Sequence, residues 1–252
     1  MTAGLLAGRS ILITGAARGV GRDIAFACAR AGARLVLADI LDELGRATAA
    51  ELVEAGHDAR FVPVDLGDPD SITAMAADIA ATEGRLDGLC NNAAIATNVG
   101  GAAFEDIDIE LWDRVMRVNV RGTWLVTRAI SPLLVDGRAR VVNMASDTAL
   151  WGPPRLLAYV TSKGAVISMT RSLARELGPR GIGIVGLAPG IMKCEATEYV
   201  PASRHEEYET RRAIPGPQFP TDILDIVVFA LSEGALPLTG QVIPTDAGFW
   251  FT

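Results

Sequence analysis

The sequence predicts an α/β protein with one domain, residues 1–252, built on a doubly wound parallel sheet of about seven strands with helices on both faces. Short β-rich runs alternate with longer segments of helical period along the whole chain. The candidate strands are almost continuously apolar, which is typical of strands that are buried on both faces. No internal repeat and no Gly/Ser/Pro linker divides the chain, so one large hydrophobic core accounts for its length.

Seven runs rich in apolar and β-branched residues are the candidate strands. In chain order they cover residues 10–14, 34–39, 60–65, 88–92, 140–146, 183–189 and 241–246. Six segments between them repeat their apolar residues with helical spacing and are the candidate helices: 20–31, 42–55, 71–82, 110–134, 158–177 and 221–232. Helices that connect parallel strands must cross over with right-handed connections, which covers both faces of the sheet.

The stretch from Met192 to Pro220 follows the sixth candidate strand and is rich in Glu, Arg and Pro. It lies where a doubly wound sheet presents its ligand-binding carboxyl edge. Long loops in compact domains are usually lids or disordered segments. We interpret residues 192–220 as a candidate substrate lid.

Charge and residue counts exclude several classes of protein. The net charge is −7, with 23 basic against 30 acidic residues, which disfavours binding to nucleic acid phosphates. Three scattered cysteines and two histidines form neither a disulfide framework nor a metal-binding pattern. Apolar runs are shorter than the roughly 18 residues of a membrane span, and the start of the chain does not resemble a signal peptide. We therefore expect a cytoplasmic protein with no metal, nucleic acid or membrane partner.

A glycine-rich turn follows the first candidate strand and opens the first helix. Gly15, Gly19 and Gly21 let the backbone turn tightly and let a pyrophosphate approach the N–H groups at the positive end of the helix. We expect this turn, with Arg18 and Val20 inside it, to bind a dinucleotide. The alternative is a glycine-rich turn that binds no ligand.

Asp39 ends the second candidate strand, 24 residues after Gly15. A carboxylate there accepts hydrogen bonds from ribose hydroxyls and repels a 2′-phosphate, which predicts NAD as the cofactor rather than NADP. Arg18 is the counter-argument, because a guanidinium beside the phosphate turn could bind a 2′-phosphate. Asp65, which ends the third candidate strand, is expected either at the adenine edge or as the N-cap of the next helix.

Tyr159 and Lys163 are the clearest candidates for catalysis. The chain has only two lysines, and one of them follows a tyrosine by four residues in a predicted helix. This spacing puts the phenol and the ammonium group on one face of the helix. A fixed cation lowers the pKa of a phenol towards the range that acid–base catalysis needs. The alternative is an ordinary surface pair on a helix.

Two polar residues are weaker candidates when each is taken alone. Ser146 ends the fifth candidate strand, where its hydroxyl could hold a substrate oxygen or merely cap a turn. Asn119 interrupts a helical pattern in which Asn is a poor helix former, so it marks a kink or holds a water molecule.

Together these residues resemble the short-chain dehydrogenase/reductase (SDR) superfamily over essentially the whole chain, in its form of an NAD-preferring secondary-alcohol dehydrogenase. The matching motifs stand in family order: 14–21, 91–94, Asn119, Ser146, Tyr159 with Lys163, 189–190 and 238–248. The resemblance implies a Rossmann-type fold and an NAD-dependent oxidoreductase that interconverts an alcohol and its ketone.

The resemblance also implies a role for each site residue. Tyr159 would donate or accept the proton, and Lys163 would lower its pKa and bind the nicotinamide ribose. Ser146 would orient the alcohol or carbonyl oxygen, and Asn119 would hold a water molecule in a proton relay. The expected cofactor contacts on the rest of the chain are Tyr159 and Lys163 themselves, together with Asp65, Leu66, Asn92 and Met192.

Two departures from the family pattern affect the cofactor side. Residues 91–94 read Asn-Asn-Ala-Ala, with Ala where the family commonly has Gly. Cys194 stands where the family usually offers a Thr to the nicotinamide carboxamide, so that contact is in doubt.

The residues expected around the reacting atoms are mostly apolar. Ile95, Trp151 and Tyr199 would join Ser146 as substrate-binding residues. We therefore expect an apolar, cyclic or aromatic, secondary alcohol or ketone, because a charged substrate would need a buried counter-charge.

The chain closes with Phe249-Trp250-Phe251-Thr252, an apolar tail that would favour aggregation if it were exposed. We expect it at a subunit interface of a homotetramer, the assembly common in this family. The alternative to an enzyme is a catalytically silent dinucleotide-binding sensor on the same fold. The complete set of Asn119, Ser146, Tyr159 and Lys163 argues against that alternative.

Overall fold

The computed structural model describes residues 4–251, which form a seven-stranded sheet. The strands are β1 Ser10–Thr14, β2 Arg34–Asp39, β3 Ala59–Pro63, β4 Gly88–Asn91, β5 Arg140–Met144, β6 Gly183–Pro189 and β7 Val242–Thr245. Their order in the sheet is β3-β2-β1-β4-β5-β6-β7, and every neighbouring pair is parallel. The predicted fold class is confirmed.

The strand order reverses its direction between β1 and β4. In open α/β sheets, ligands bind outside the carboxyl ends of the strands at such a switch point. The glycine turn after β1 and the residues after β4 meet there, so the topology places the predicted cofactor turn at the ligand-binding edge.

Nine α-helices cover the two faces of the sheet in the described part of the chain. They are α1 Gly19–Arg30, α2 Asp42–Glu54, α3 Pro69–Thr82, α4 Ile109–Met116, α5 Thr123–Ile130, α6 Thr148–Trp151, α7 Leu157–Leu177, α8 Ala202–Arg211 and α9 Thr221–Ala230. None of these helices is both long enough and apolar enough to cross a membrane.

The core consists of two apolar layers, one on each face of the sheet. Along β1, Ile13 packs in one layer with Ile24 of α1 and Val227 of α9. Its neighbour Leu12 packs in the other layer with Val126 of α5. Successive side chains of a strand point to opposite faces, so a buried parallel strand needs apolar residues at every position. This requirement explains why the strand bounds were predictable from apolar runs.

The helix expected over residues 110–134 is interrupted. Residues Arg117–Gly122 widen into a π-helical turn between α4 and α5, and a 3₁₀ turn follows α5. Gly122 packs against the loop after β3, where a Cβ atom would lie 2.7 Å from the Leu66 carbonyl oxygen. Asn119 lies within this turn and is 1% exposed. Such π turns occur often at functional sites.

The candidate lid is not irregular throughout. Residues 195–197 form a 3₁₀ turn, and α8 occupies the middle of the segment. Tyr208 is the buried residue of α8, so the helix has no broad apolar stripe that a periodicity search would detect.

Candidate active site

A continuous cavity of about 1210 Å³ runs along the carboxyl edge of the sheet, from the glycine turn to the lid. Ligand sites for small molecules usually measure about 300–1,000 Å³, so this cavity has room for a dinucleotide and a second molecule. All residues that the sequence analysis proposed for the cofactor and substrate sites line it, with the exception of Asn119.

The glycine turn has a backbone that side chains would disrupt. Gly15 and Gly19 have φ angles of +69° and +54°, a region that favours glycine. A Cβ atom on Gly21 would lie 1.9 Å from the Gly15 carbonyl oxygen. The turn therefore leads directly into α1 with its backbone open towards the cavity, as an anion site at a helix N-terminus requires.

Asp39 is fixed at the end of β2 by two backbone hydrogen bonds. The N–H of Ala17 donates to its Oδ2 atom and the N–H of Leu41 donates to its Oδ1 atom, both at 3.0 Å. The side chain is almost fully buried and lines the cavity beside the glycine turn. The structure therefore places a carboxylate beside the glycine turn, where one was expected to accept hydrogen bonds from the ribose hydroxyls.

Asn92 joins the switch-point strands. Its Nδ2 atom donates to the carbonyl oxygens of Thr14 (3.1 Å) and Gly15 (3.2 Å). The Thr14 hydroxyl accepts hydrogen bonds from the N–H groups of Asn92 and Ala93. Asn92 therefore supports the backbone of the glycine turn.

Arg18 reaches across the cavity to the lid. Its guanidinium lies 2.6 Å from the Glu195 carboxylate, and both side chains are more than half exposed. In this arrangement Arg18 links the glycine turn to the 3₁₀ turn of the lid instead of standing free beside Asp39.

The alternative role of Asp65 as a helix cap is wrong. Asp68 caps α3, because its side chain accepts a hydrogen bond from the N–H of Asp70. The Oδ1 atom of Asp65 accepts from the N–H of Gly67 at 2.7 Å, which shapes the loop instead. Asp65 and Leu66 both line the cavity near the switch point.

Ser146, Tyr159 and Lys163 come together at the centre of the cavity. Ser146 follows β5, and its hydroxyl forms a hydrogen bond with the Tyr159 phenol and lies 2.9 Å from the Thr148 hydroxyl. Lys163 lies one turn along α7, with its Nζ atom 5.7 Å from the centroid of the Tyr159 ring. The ammonium group donates to the Met144 carbonyl oxygen at 2.7 Å, which ties α7 to β5.

Burial shifts the pKa values of two members of this trio. Burial raises the pKa of the Tyr159 phenol above its ordinary value, and the hydrogen bond with Ser146 lowers it in part. Burial also lowers the pKa of Lys163 to about 8. Desolvation disfavours the charged form of each group. The lowering of the Tyr159 pKa by the Lys163 cation stays a prediction.

Asn119 has a positioning role. Its Oδ1 atom accepts a hydrogen bond from the N–H of Ile95 at 2.7 Å. Its Nδ2 atom donates to the Ile95 carbonyl oxygen (3.0 Å) and to the Ser162 hydroxyl (3.1 Å). Both N–H bonds of the amide are thereby used, and the side chain fastens the loop after β4 to α7 behind Tyr159.

The substrate half of the cavity lies between α6, the loop after β4 and the lid. Ile95, Trp151 and Tyr199 all line it, as the sequence predicted. The Tyr199 hydroxyl donates to the Ala96 carbonyl oxygen at 2.7 Å, which attaches the lid to the opposite wall. Met192 lies at the start of the lid, almost fully buried.

Several lining residues were not among the predicted site residues, and three of them carry hydroxyl or acidic groups of interest. Asp147 follows Ser146, and Tyr208 lies on α8, the helix that the sequence did not reveal. Thr197 lines the cavity three residues after Cys194, and its hydroxyl is engaged with the backbone of its own loop, donating to the Met192 carbonyl oxygen. The signal that could have identified Asp147 and Thr197 is that each carries a polar side chain close to a residue singled out in the sequence, Ser146 and Cys194 respectively.

The aromatic C-terminus is divided. Phe249 is buried within its own chain, where its ring stacks on Tyr208 at 4.0 Å and lies 5.3 Å from Trp151. The expectation that the whole tail packs on a neighbouring subunit is therefore wrong for Phe249. Trp250 and Phe251 remain exposed, and Thr252 lies outside the described residues.

Comparisons with known proteins agree with this geometry. A family model described as enoyl-(acyl carrier protein) reductase matches residues 15–250. A 3-alpha-(or 20-beta)-hydroxysteroid dehydrogenase from Mycobacterium tuberculosis is 37% identical, over 97% of this chain and 90% of its own. A cyclopentanol dehydrogenase from Comamonas testosteroni is 32% identical, over 95% of this chain and 96% of its own.

A solved structure shows the same fold. It comes from Beutenbergia cavernae and is described as a candidate NAD(P)-dependent gluconate 5-dehydrogenase with NADP bound at low occupancy. It superposes with a TM-score of 0.91 at 33% identity and covers 98% of this chain and 99% of that one.

Proposed function

This chain belongs to the short-chain dehydrogenase/reductase family, and we propose that it interconverts an apolar, cyclic or aromatic, secondary alcohol and its ketone with NAD(H). The observation that carries the proposal is the meeting of Ser146, Tyr159 and Lys163 in one cavity with the glycine turn. When bound, the nicotinamide ring accepts or donates the hydride, and the protein handles the proton.

The residues of the cavity fit a dinucleotide. The open backbone after Gly15 and the first turn of α1 would hold the pyrophosphate. Asp39, held by two N–H groups, would accept the ribose hydroxyls and repel a 2′-phosphate, which favours NAD. Arg18 is engaged with Glu195, which weakens the case for its binding a 2′-phosphate.

The proton transfer is assigned to Tyr159, with Ser146 holding the same substrate oxygen. In the direction of reduction, a phenol whose pKa is raised stays protonated and ready to donate to the developing alkoxide. In the direction of oxidation, a cation near the phenol is needed to stabilise the phenolate. Lys163 is the cation on the same helix face, and its ammonium group would also bind ribose hydroxyls.

The polar groups of the aromatic side chains in the cavity wall are already paired within the protein, and this supports an apolar substrate. The Tyr199 hydroxyl donates to Ala96, and the Trp151 indole N–H donates to Tyr208, so neither is offered to the substrate. Ile95 and the face of Trp151 then present an apolar surface beside Ser146 and Tyr159. We also propose that Trp250 and Phe251 contribute to a tetramer interface; the cytoplasmic location stays a prediction.

The test of the proposed function is a nicotinamide absorbance assay at 340 nm, at which the reduced ring absorbs. NADH and NADPH are offered separately with aliphatic, alicyclic, aryl and steroid ketones, and the reverse reaction is run with the matching alcohols. We expect turnover with NADH of an alicyclic or aryl ketone, reduced by at least about 1,000-fold in Tyr159→Phe.

Binding of NADH, measured by its fluorescence, should survive in Tyr159→Phe because the glycine turn, Asp39 and Lys163 would still hold the dinucleotide. Undiminished turnover in Tyr159→Phe would contradict the assignment of the proton to this residue. Tight binding of NADH without turnover of any ketone would favour the dinucleotide-binding sensor. A preference for NADPH would contradict the role given to Asp39.

A further inference from the structure

A chain of hydrogen bonds lies in the wall of the cavity. The indole Nε1–H of Trp151 donates to the Tyr208 hydroxyl at 2.9 Å. That hydroxyl donates in turn to the Oδ1 atom of Asp147 at 3.0 Å. The chain therefore connects α6, the lid helix α8 and the residue next to Ser146.

The three residues of this chain differ in their exposure to solvent. Trp151 is partly exposed, whereas Tyr208 is 1% exposed and Asp147 is fully buried. The indole N–H of this cavity-lining residue is therefore taken up by Tyr208 and is not offered to a bound substrate. Phe249 stacks on Tyr208 at 4.0 Å, and the Arg204 guanidinium lies 5.2 Å from the Trp151 ring.

Charge on Asp147 does not disturb this wall near neutral pH. Burial raises the pKa of the Asp147 carboxyl to about 8, and the nearby Asp246 adds to that effect. The hydrogen bond from Tyr208 and the cation of Arg212 oppose it. The Oδ2 atom of Asp147 is buried and has no hydrogen-bond partner within residues 4–251, which suits a neutral carboxyl better than a carboxylate.

We propose that the chain Trp151–Tyr208–Asp147 determines substrate specificity by pairing the indole N–H and the Tyr208 hydroxyl within the wall, so that the cavity selects ring alcohols without a second hydroxyl beside the reacting carbon. The inference rests on the proposed function and deepens it. A second hydroxyl would enter the cavity next to an apolar ring face and lose its hydrogen bonds with water. An apolar pocket rejects an added hydroxyl by about 100-fold.

The test compares kcat/KM for cyclopentanol and cyclopentane-1,2-diol. We expect the wild type to prefer cyclopentanol by about 100-fold. Tyr208→Phe keeps the ring that stacks on Phe249 but leaves the Trp151 N–H without an acceptor. An N–H group left unpaired favours a substrate that carries another oxygen, so the preference should fall by roughly tenfold.

The double variant Trp151→Phe/Tyr208→Phe supplies the critical control. It removes the donor together with its acceptor, and a pair removed together is nearly neutral. The preference for cyclopentanol should therefore return to within about threefold of the wild type, as it should in Trp151→Phe alone. A general loosening of the fold would lower kcat/KM for both alcohols together and could not be repaired by a second substitution.

Glu209→Gln is the matched lid control, because Glu209 pairs with Lys193 away from the large cavity and should leave the preference unchanged. An unchanged preference in folded Tyr208→Phe, or a wild type that oxidises both alcohols equally well, would overturn the inference. If Tyr208→Phe does not fold, a wild type that oxidises both alcohols equally well still overturns the inference. Failure of the proposed function is distinct, since the wild type would then oxidise no alcohol of the panel.

Discussion

At the scale of single residues, the sequence identifies the reacting groups but not their surroundings. Tyr159 and Lys163 were identified from their spacing, and the structure brings them together with Ser146 in one cavity. Their pKa values depend on burial, which is a property of every residue packed around them and leaves no mark in a five-residue motif. The raised pKa of Tyr159 and the lowered pKa of Lys163 are therefore results of the fold.

The lowered pKa of Lys163 predicts a dependence of stability on pH. The folded chain loses this proton near pH 8, whereas the unfolded chain keeps it up to its ordinary value of 10.5. Between these two pH values the unfolded chain binds more protons than the folded chain, so the folded chain becomes more stable as the pH rises. The cost of burying the Lys163 charge is present below pH 8 and is lost above it.

The free energy of unfolding of the wild type minus that of Lys163→Met should increase by about 1.4 kcal/mol per pH unit between pH 8 and pH 10. Urea denaturation at pH 7, 8.5 and 10 measures it. Lys193→Met removes the other lysine, whose side chain is half exposed, and serves as the matched control. Parallel stability curves for the wild type and Lys163→Met would contradict the burial of a charge.

At the scale of elements, periodicity predicts helices that bury a broad apolar stripe and misses those that do not. The lid helix α8 buries Tyr208 and exposes charged residues, so its pattern is that of a loop. The π turn at Arg117–Gly122 was also missed as such, although Asn119 marked the place. Its position is set by the close approach of Gly122 to Leu66, a contact between distant parts of the chain.

The pair Arg18–Glu195 predicts an effect of the lid on cofactor release. It connects the glycine turn with the lid across the cavity, and exposed ion pairs contribute about 0.2–1 kcal/mol. We expect Glu195→Gln to release NADH about two- to fivefold faster in a stopped-flow fluorescence experiment. The effect should shrink at high salt. Equal rates in Glu195→Gln and Glu209→Gln would show that the pair does not hold the lid.

At the scale of the whole molecule, the C-terminal aromatic residues lie in two different environments. Phe249 completes the packing under the lid, whereas Trp250 and Phe251 are exposed on the single chain. Phe249→Ala should lower the free energy of unfolding by about 3–5 kcal/mol, because it opens a cavity against Tyr208 and Trp151.

By contrast, the double variant Trp250→Ser/Phe251→Ser should keep the stability of the chain and shift its sedimentation towards smaller species. Exposed aromatic side chains that bury in an assembly contribute to association and not to the fold of one chain. An unchanged sedimentation coefficient would contradict the proposed interface.

The positions of the strands, the glycine turn and the order of the catalytic motifs were predictable because each depends on local residue types, whereas the strand order was read only from the structure. Buried parallel strands must be apolar, and a tight turn before a helix needs glycine. The hydrogen bonding of the cavity wall was not predictable, because Tyr208 lies on α8 and its partners Asp147 and Trp151 lie 61 and 57 residues earlier, at the start and end of α6. Hydrogen bonds and burial between residues distant in the chain depend on tertiary packing, so the sequence named candidate substrate residues such as Trp151 but only the folded structure showed how their polar groups are paired.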